Sequence, residues 1–369
     1  MVVITLLNIL VVLMAYLSRD EKHRYLLAWA FAILIMVLGI RYGYGNDFFS
    51  YKYMFEHGYP EEGDAENVEL GWRFLNQIFK PLGFSSMVFF LTVVEHLMLY
   101  DIIRRYTPPN YYWLALFIYL FNPYFMLIGL SMMRQFLVQI LGFYAMEYAY
   151  KRKLIIFVLI VLICISVHKV GFLLFPLYLF PYLSKVSTKY MLLLTILPTI
   201  IAIVLMYVKM DLIIERLIEL FGESGMKYGE SYLNSTVLSE EYRVNPKMVF
   251  RYVLYFVLLI KNYNFLPNSN ASKLFAIEVT LGVLFIPFAS ISPMAIRVSW
   301  IYSMVVIIAM PFLMGHERSL NIRRVVMLVF SILLLRDYYN HFFSDIWGAQ
   351  YLNFYTIFSD YAIYDIRLF

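Results

Sequence analysis

Charge is what this sequence most conspicuously lacks. Asp, Glu, Lys and Arg make up 15% of its 369 residues, against about 25% in ordinary soluble domains. So few charges cannot cover a 43.8-kDa globule, which excludes a soluble enzyme. The 62% apolar content likewise excludes a disordered chain. Cysteine is the second shortage. The single one, Cys164, lies inside an apolar run, so neither an intrachain disulfide nor a cysteine-based metal site can form. Several motifs are also missing. Without a G-x-x-x-x-G-K-[ST] loop, ATP hydrolysis has no support. No D-x-D pair and no H-E-x-x-H helix occurs, which argues against metal-dependent use of nucleotide sugars and against a zinc hydrolase. The one G-x-G, Gly43 and Gly45, does not follow a strand and says nothing about dinucleotides. Net charge is only +5. No cofactor and no nucleic acid are expected.

What remains is hydrocarbon. Mean hydropathy is +0.71, and aromatics reach 19%, as suits a chain with many membrane–water interfaces. The fold class that follows is all-α, a polytopic integral membrane protein. A hydrocarbon core of roughly 30 Å needs about 20 apolar residues as helix, with a lower limit near 17. Twelve spans are expected: 1–17, 25–40, 84–102, 111–129, 132–149, 154–168, 170–183, 190–208, 248–263, 273–289, 298–314 and 323–339. Residues 1–17 lack a basic leader and a cleavage pattern, so they read as a first span. Between 154 and 183, His168-Lys169 either caps a tight turn between two spans or interrupts one broken helix.

Basic residues set the orientation. Six connections carry them: Arg19, Lys22 and Arg24; Arg104 and Arg105; Lys151, Arg152 and Lys153; Lys185 and Lys189; Lys261 and Lys273; Arg318, Arg323 and Arg324. These alternate with the other connections, as a cytoplasmic set must, provided the turn at His168 keeps the count even. Both termini then face outward. The long segments, about 41–83, 209–247 and 337–369, gather on the outer side of a single transmembrane domain, 1–369.

On that side, 211–221 reads as an amphipathic interfacial helix, either a plain surface helix or a lid. Residues 68–80 read as a second short outer helix, of a kind that can be re-entrant. The segment 337–369 holds 12 aromatics in 33 residues, serving either as an aromatic belt or as a sugar-stacking surface. More telling are ionisable groups at the outer ends of spans: Arg41, Arg134, His168, Lys169, Arg297 and Arg336. A charge at membrane depth costs on the order of 3 kcal/mol, so such residues usually serve a cavity or pathway, although near span ends a snorkelling anchor is the simple alternative. Converging from separate spans, they would make a basic pocket for phosphate oxygens, which the planar guanidinium grips in a bidentate manner. Asp47, behind the glycine-rich RYGYGND, and Glu69 are equally suited to a catalytic role and to a salt bridge with one of these arginines.

Five stretches together resemble a known family: GIRYGYGNDFFSY at 39–51, ELGWRFLNQIF at 69–79, SMMRQFLVQILGFYAM at 131–146, ISVHKVGFLLFPLY at 165–178 and AIRVSWIY at 295–302. Their order is similar to that of the EpsG-type branch of the Wzy-like bacterial polysaccharide polymerases. The resemblance implies a GT-C-like glycosyltransferase architecture in the bacterial inner membrane. It also implies a lipid substrate, an oligosaccharide repeat unit on undecaprenyl pyrophosphate at the periplasmic face. The growing chain would pass from one lipid pyrophosphate to the sugar end of another, without nucleotide or metal. A flippase and a chain-length regulator are the protein partners implied, beside membrane lipids.

Carried over by position, the pattern points to Arg41, Asp47, Tyr51, Glu69, Arg134, Gln135, His168 and Arg297. Chemistry suggests the division of labour: Arg134, Arg297 and Arg41 as pyrophosphate-binding, and Tyr51, Glu69 and Gln135 as substrate-binding, with Lys169 beside His168 added to the substrate-binding set. His168 and Asp47 are the catalytic pair. The unperturbed histidine pKa near 6.5 suits a general base, with Asp47 as the competing base, and Lys169 would help keep His168 neutral. Rival readings are a glycan ligase using the same lipid donor, a lipid-linked oligosaccharide flippase, and a purely structural role.

Overall fold

The computed structural model describes residues 1–59, 68–183, 188–205, 247–262, 270–287, 293–343 and 348–359. Each expected span is helical over most of its described part, and the described residues are all-α apart from one two-residue strand pair. The first half comprises α1 (Val2–Leu17), α2 (Tyr25–Gly39), α3 (Phe48–His57), α4 (Leu70–Phe79), α5 (Phe84–Tyr106), α6 (Tyr112–Phe121), α7 (Met126–Ser131), α8 (Met133–Tyr150) and α9 (Leu154–Val167). A 3₁₀ segment, Lys169–Leu179, leads into α10 (Phe180–Leu183) and α11 (Thr188–Leu205). After these come α12 (Lys247–Asn262), α13 (Asn270–Phe285), α14 (Pro293–Ser303), α15 (Val306–His316), α16 (Leu320–Phe342) and α17 (Ala349–Leu352).

The apolar helices make this a membrane protein. Glu21–Gly39 and Phe84–Tyr106 are each long and apolar enough to cross a bilayer alone, and Ile296–Ser303 with Val306–His316 forms a pair bent by 40°. Shorter apolar helices such as Val2–Leu17 and Leu154–Val167 accompany them.

Two expected spans are not continuous. The stretch 111–129 breaks after Phe121, where Asn122 is extended. Pro123 follows it, and proline pushes the preceding residue out of helical geometry. The stretch 298–314 bends between α14 and α15. A further break at Met132, with ψ at 60°, separates α7 from α8 and gives α8 an N-terminus of its own.

The open choice at His168 resolves to a turn. His168 is extended, and the chain returns alongside α9: Arg152 Nη1 donates to the carbonyl of Tyr178 at 3.1 Å, and the Phe157 and Tyr178 rings lie 5.1 Å apart. The return leg rises about 2.0 Å per residue as a 3₁₀ helix, against 1.5 Å for an α-helix, so eleven residues reach as far as a longer α-helix would.

The expected outer helix at 68–80 is α4. It shows Leu70, Phe74 and Ile78 on its exposed side and buries Trp72 and Asn76, the pattern of a helix lying in an interface. The expected helix at 211–221 lies outside the described residues. Residues 348–359 fold back over the N-terminal half. There β2 (Tyr355–Thr356) pairs antiparallel with β1 (Arg41–Tyr42), matching Arg41 with Thr356. Tyr351 is fully buried, its ring 5.3 Å from that of Tyr44, so this residue serves packing, whereas Tyr339, Phe343 and Phe358 are exposed.

Candidate functional site

The chain crosses α5 to α9 in such a way that Arg134 and the His168 turn share one end of the bundle. Arg105, Glu147 and Lys151 share the other, joined by ion pairs of 2.6 and 2.5 Å. The first end also receives the RYGYGND loop and α4. Gly43 and Gly45 have φ of +61° and +98°, the left-handed region that glycine adopts without strain. Gly45 also lies against Ser131 so closely that a Cβ would come within 2.9 Å of the Ser131 backbone. This contact brings Asp47 to the α7–α8 break, where its backbone N–H donates to Ser131 Oγ at 3.1 Å.

Glu69, at the head of α4, organises the opposite wall. Its Oε2 accepts from Arg134 Nη1 at 2.7 Å, and its Oε1 accepts from the Lys169 backbone N–H at 2.6 Å. One carboxylate thus ties α8 to the His168 turn. The close approach needs Gly71, where a Cβ would collide with Ser166 Oγ; small residues commonly permit such contacts between membrane helices. Tyr51 is buried between two partners, its ring 5.6 Å from Trp72 and 5.7 Å from the Arg134 guanidinium carbon.

Arg134 occupies the first turn of α8, where backbone N–H groups lack intrahelical partners and the helix dipole favours an anion. Arg297, on α14, carries no hydrogen bond or ion pair among the described residues. Both guanidinium groups act electrostatically on Asp47 and on His168, so Arg134, Arg297, Asp47 and His168 form one group. Burial raises the Asp47 pKa above its ordinary value, and the two arginines pull against that rise. For His168 all causes agree. Burial first, then Arg134, Arg297 and Lys169, push it down to about 3, which leaves the ring neutral at physiological pH.

Its tautomer is fixed as well. The Val170 backbone N–H donates to Nδ1 of His168 at 3.0 Å, so the neutral ring carries its proton on Nε2 and presents a donor.

Not every expected residue joins this group. Arg41 is buried and turned into the helix packing, with Nη1 donating to the Leu38 carbonyl and to Thr92 Oγ1, both at 2.8 Å, and Nη2 to the Leu130 carbonyl. It ties the end of α2 to α5 and α7. Gln135 is buried on α8 with Oε1 unpartnered among the described residues. The Lys169 side chain is exposed, and its contribution to the site is the backbone N–H. Arg336 pairs with its neighbour Asp337 at 2.7 Å. Among the described residues no group of three or more His, Cys, Asp or Glu is placed to hold a metal ion.

Trp72, Ser131 and Val170 were not singled out by sequence. Two of the three work through neighbours distant in the chain, and Val170 acts through its backbone, so only their place inside the family-like stretches marked them.

A family model, EpsG family, matches residues 24–356. The chain belongs to the EpsG family. No curated protein and no solved structure matches it. EpsG membership gives it a polysaccharide-polymerase-like role of glycosyltransferase type. The match runs through every element of the group just described, from Asp47 to Arg297.

Proposed function

We propose that this EpsG protein is a polysaccharide polymerase that moves a growing glycan from a polyprenyl pyrophosphate onto a lipid-linked repeat unit. The lipid is undecaprenyl pyrophosphate, and the reaction takes place at the periplasmic face of a bacterial inner membrane, with about twelve spans in a GT-C-like arrangement. The observation that carries this reading is the meeting of Arg134 and Arg297, from separate helices, with Asp47 and His168.

In the reaction the acceptor hydroxyl attacks the anomeric carbon of the donor sugar. The bond from that carbon to the phosphate oxygen breaks, and its electron pair stays on the departing lipid pyrophosphate. Arg134, Arg297 and the first turn of α8 stabilise the charge that builds there. Asp47 takes the hydroxyl proton and passes it to water. Its carboxylate has no hydrogen bond among the described residues, and burial makes it a stronger base than an ordinary aspartate. The Val170 contact makes His168 the complementary donor, with Nε2–H directed to a phosphate or sugar oxygen. Glu69 holds Arg134 until substrate oxygens replace it, while Tyr51 and Trp72 fix the guanidinium plane.

Purified protein in detergent, given a short-chain prenyl-pyrophosphate repeat unit, should yield a ladder of products. A single transferred product would point to a ligase. Lipid transport without turnover would point to a flippase.

A further inference from the structure

We propose that the cleft between α1, α6 and α16 seats the polyprenyl tail of a lipid-linked substrate; the proposal rests on the polymerase reading above. The cleft encloses about 620 Å³. It runs from Met1 and Phe342 at one end to Tyr16 and Trp113 at the other. At 1.5 Å per residue, α1 spans about 22 Å between those ends, most of a hydrocarbon core of roughly 30 Å.

The shape of the cleft is set by a buried polar floor. Asn8 Nδ2 donates to the Leu120 carbonyl at 3.1 Å and to Tyr338 Oη at 3.3 Å, and Thr5 Oγ1 lies 3.2 Å from Tyr338 Oη. These bonds join α1, α6 and α16. Apart from Asn8 Oδ1, which has no partner among the described residues, these polar atoms are spent on one another, and what faces the cleft is hydrocarbon and ring. Aromatic rings dominate the walls, as where Phe121 meets Tyr338 at 5.0 Å. A preformed groove walled by tilted and edge-on rings fits a single slender chain, whose methyl and vinyl C–H groups lie against the rings. An annular phospholipid, with two tails, needs no such groove.

The mouth supplies the second argument. Met1 N, at the cleft's upper end, donates to the carbonyls of Tyr351 and Leu352. Tyr351 in turn packs on Tyr44 and His341, and it is electrostatically coupled to Asp47. A tail lying in the cleft therefore ends within a few side chains of the reacting group, on the side where a headgroup must sit.

The test uses a long prenyl pyrophosphate carrying a diazirine on its terminal isoprene, with the full chain in nanodiscs and the adducts mapped by peptide. Adducts on α1, α6 and α16 that unlabelled prenyl pyrophosphate removes, and a hundredfold excess of phosphatidylglycerol does not, are the expected result. Adducts elsewhere, or equal displacement by phospholipid, would overturn the proposal. Ile9→Trp and Leu13→Trp fill the cleft from its exposed wall. Both should lower the ratio of kcat/KM for a long-tailed over a ten-carbon substrate at least tenfold, and an unaltered ratio would be equally fatal. Labelling needs no turnover, so a tail bound in the cleft without a product ladder would sink the polymerase reading alone. A ladder with labels elsewhere would sink only the seat.

Discussion

His168 and Asp47 stand among the same two guanidinium groups, yet different bonds divide their work. The nitrogen that would have made His168 a base already accepts the Val170 N–H. Asp47→Asn should therefore lower polymer formation by about 10²–10⁴-fold, the usual worth of a positioned proton acceptor, while binding of a prenyl pyrophosphate persists. Activity should rise with pH along the ionisation of Asp47, shifted upward from that of an ordinary aspartate, with no inflection near 6.5, and the Asn variant should lose that limb. Stability also depends on pH, through His168. The folded pKa of His168, about 3, lies below the unfolded value near 6.5, so below pH 6.5 the unfolded chain binds more protons. The fold should weaken as pH falls from about 6.5 toward 3, and His168→Gln should flatten that part of a thermal-unfolding profile. Arg297→Ala should cost about 10²–10³-fold in kcat, the scale for losing one charge-stabilising donor. The arginines and His168 were legible as ionisable groups at span ends, Asp47 as the acid behind a glycine-rich stretch, and the sequence also offered the pairing of Glu69 with an arginine. The tautomer was not legible, because a backbone N–H two residues away decides it.

Among the elements, α4 has the largest influence on the site. It lies in the interface by one apolar side, and by its first residue's neighbour Glu69 it holds α8 against the His168 turn. Gly71→Val would place a branched side chain against Ser166, and overpacking of this kind costs about 1–3 kcal/mol. A lower thermal midpoint should come with a loss of activity larger than that destabilisation explains, since Glu69 moves with the helix. Glu69→Ala should itself destabilise by about 3 kcal/mol, because it leaves a largely buried Arg134 without its carboxylate. Adding Arg134→Ala should recover part of that loss in a double-mutant cycle read by thermal unfolding. Helix existence was readable from apolar runs in the spans and from the amphipathic pattern of α4, but not in α3, which was read only as part of a long outer segment. Breaks were readable only where proline announces them, as at Asn122-Pro123. The break at Met132 has no such signal, for it arises where the Gly45 loop docks on Ser131, a contact between residues 86 apart.

At the scale of the whole molecule, the membrane class was written in composition, and the opposed ends of the bundle in where basic and acidic residues fall. What composition cannot carry is the pairing of distant segments. Because Cys164 is buried and is the sole cysteine, single cysteines placed at Gly58 and at Lys151 can be labelled from outside intact cells with little background. The site end, marked by Gly58, should react with an impermeant maleimide, and Lys151→Cys only after lysis; the reverse pattern would invert the proposed orientation. The strand pair joining Arg41 to Thr356 has a consequence in time. The loop that carries Asp47 docks on Ser131, but its strand Arg41–Tyr42 is clasped by residues made more than three hundred positions later, so a nascent chain threading into the bilayer lacks that second fastening until synthesis has passed Thr356. On the proposed reading, the site is complete only once Thr356 has been made.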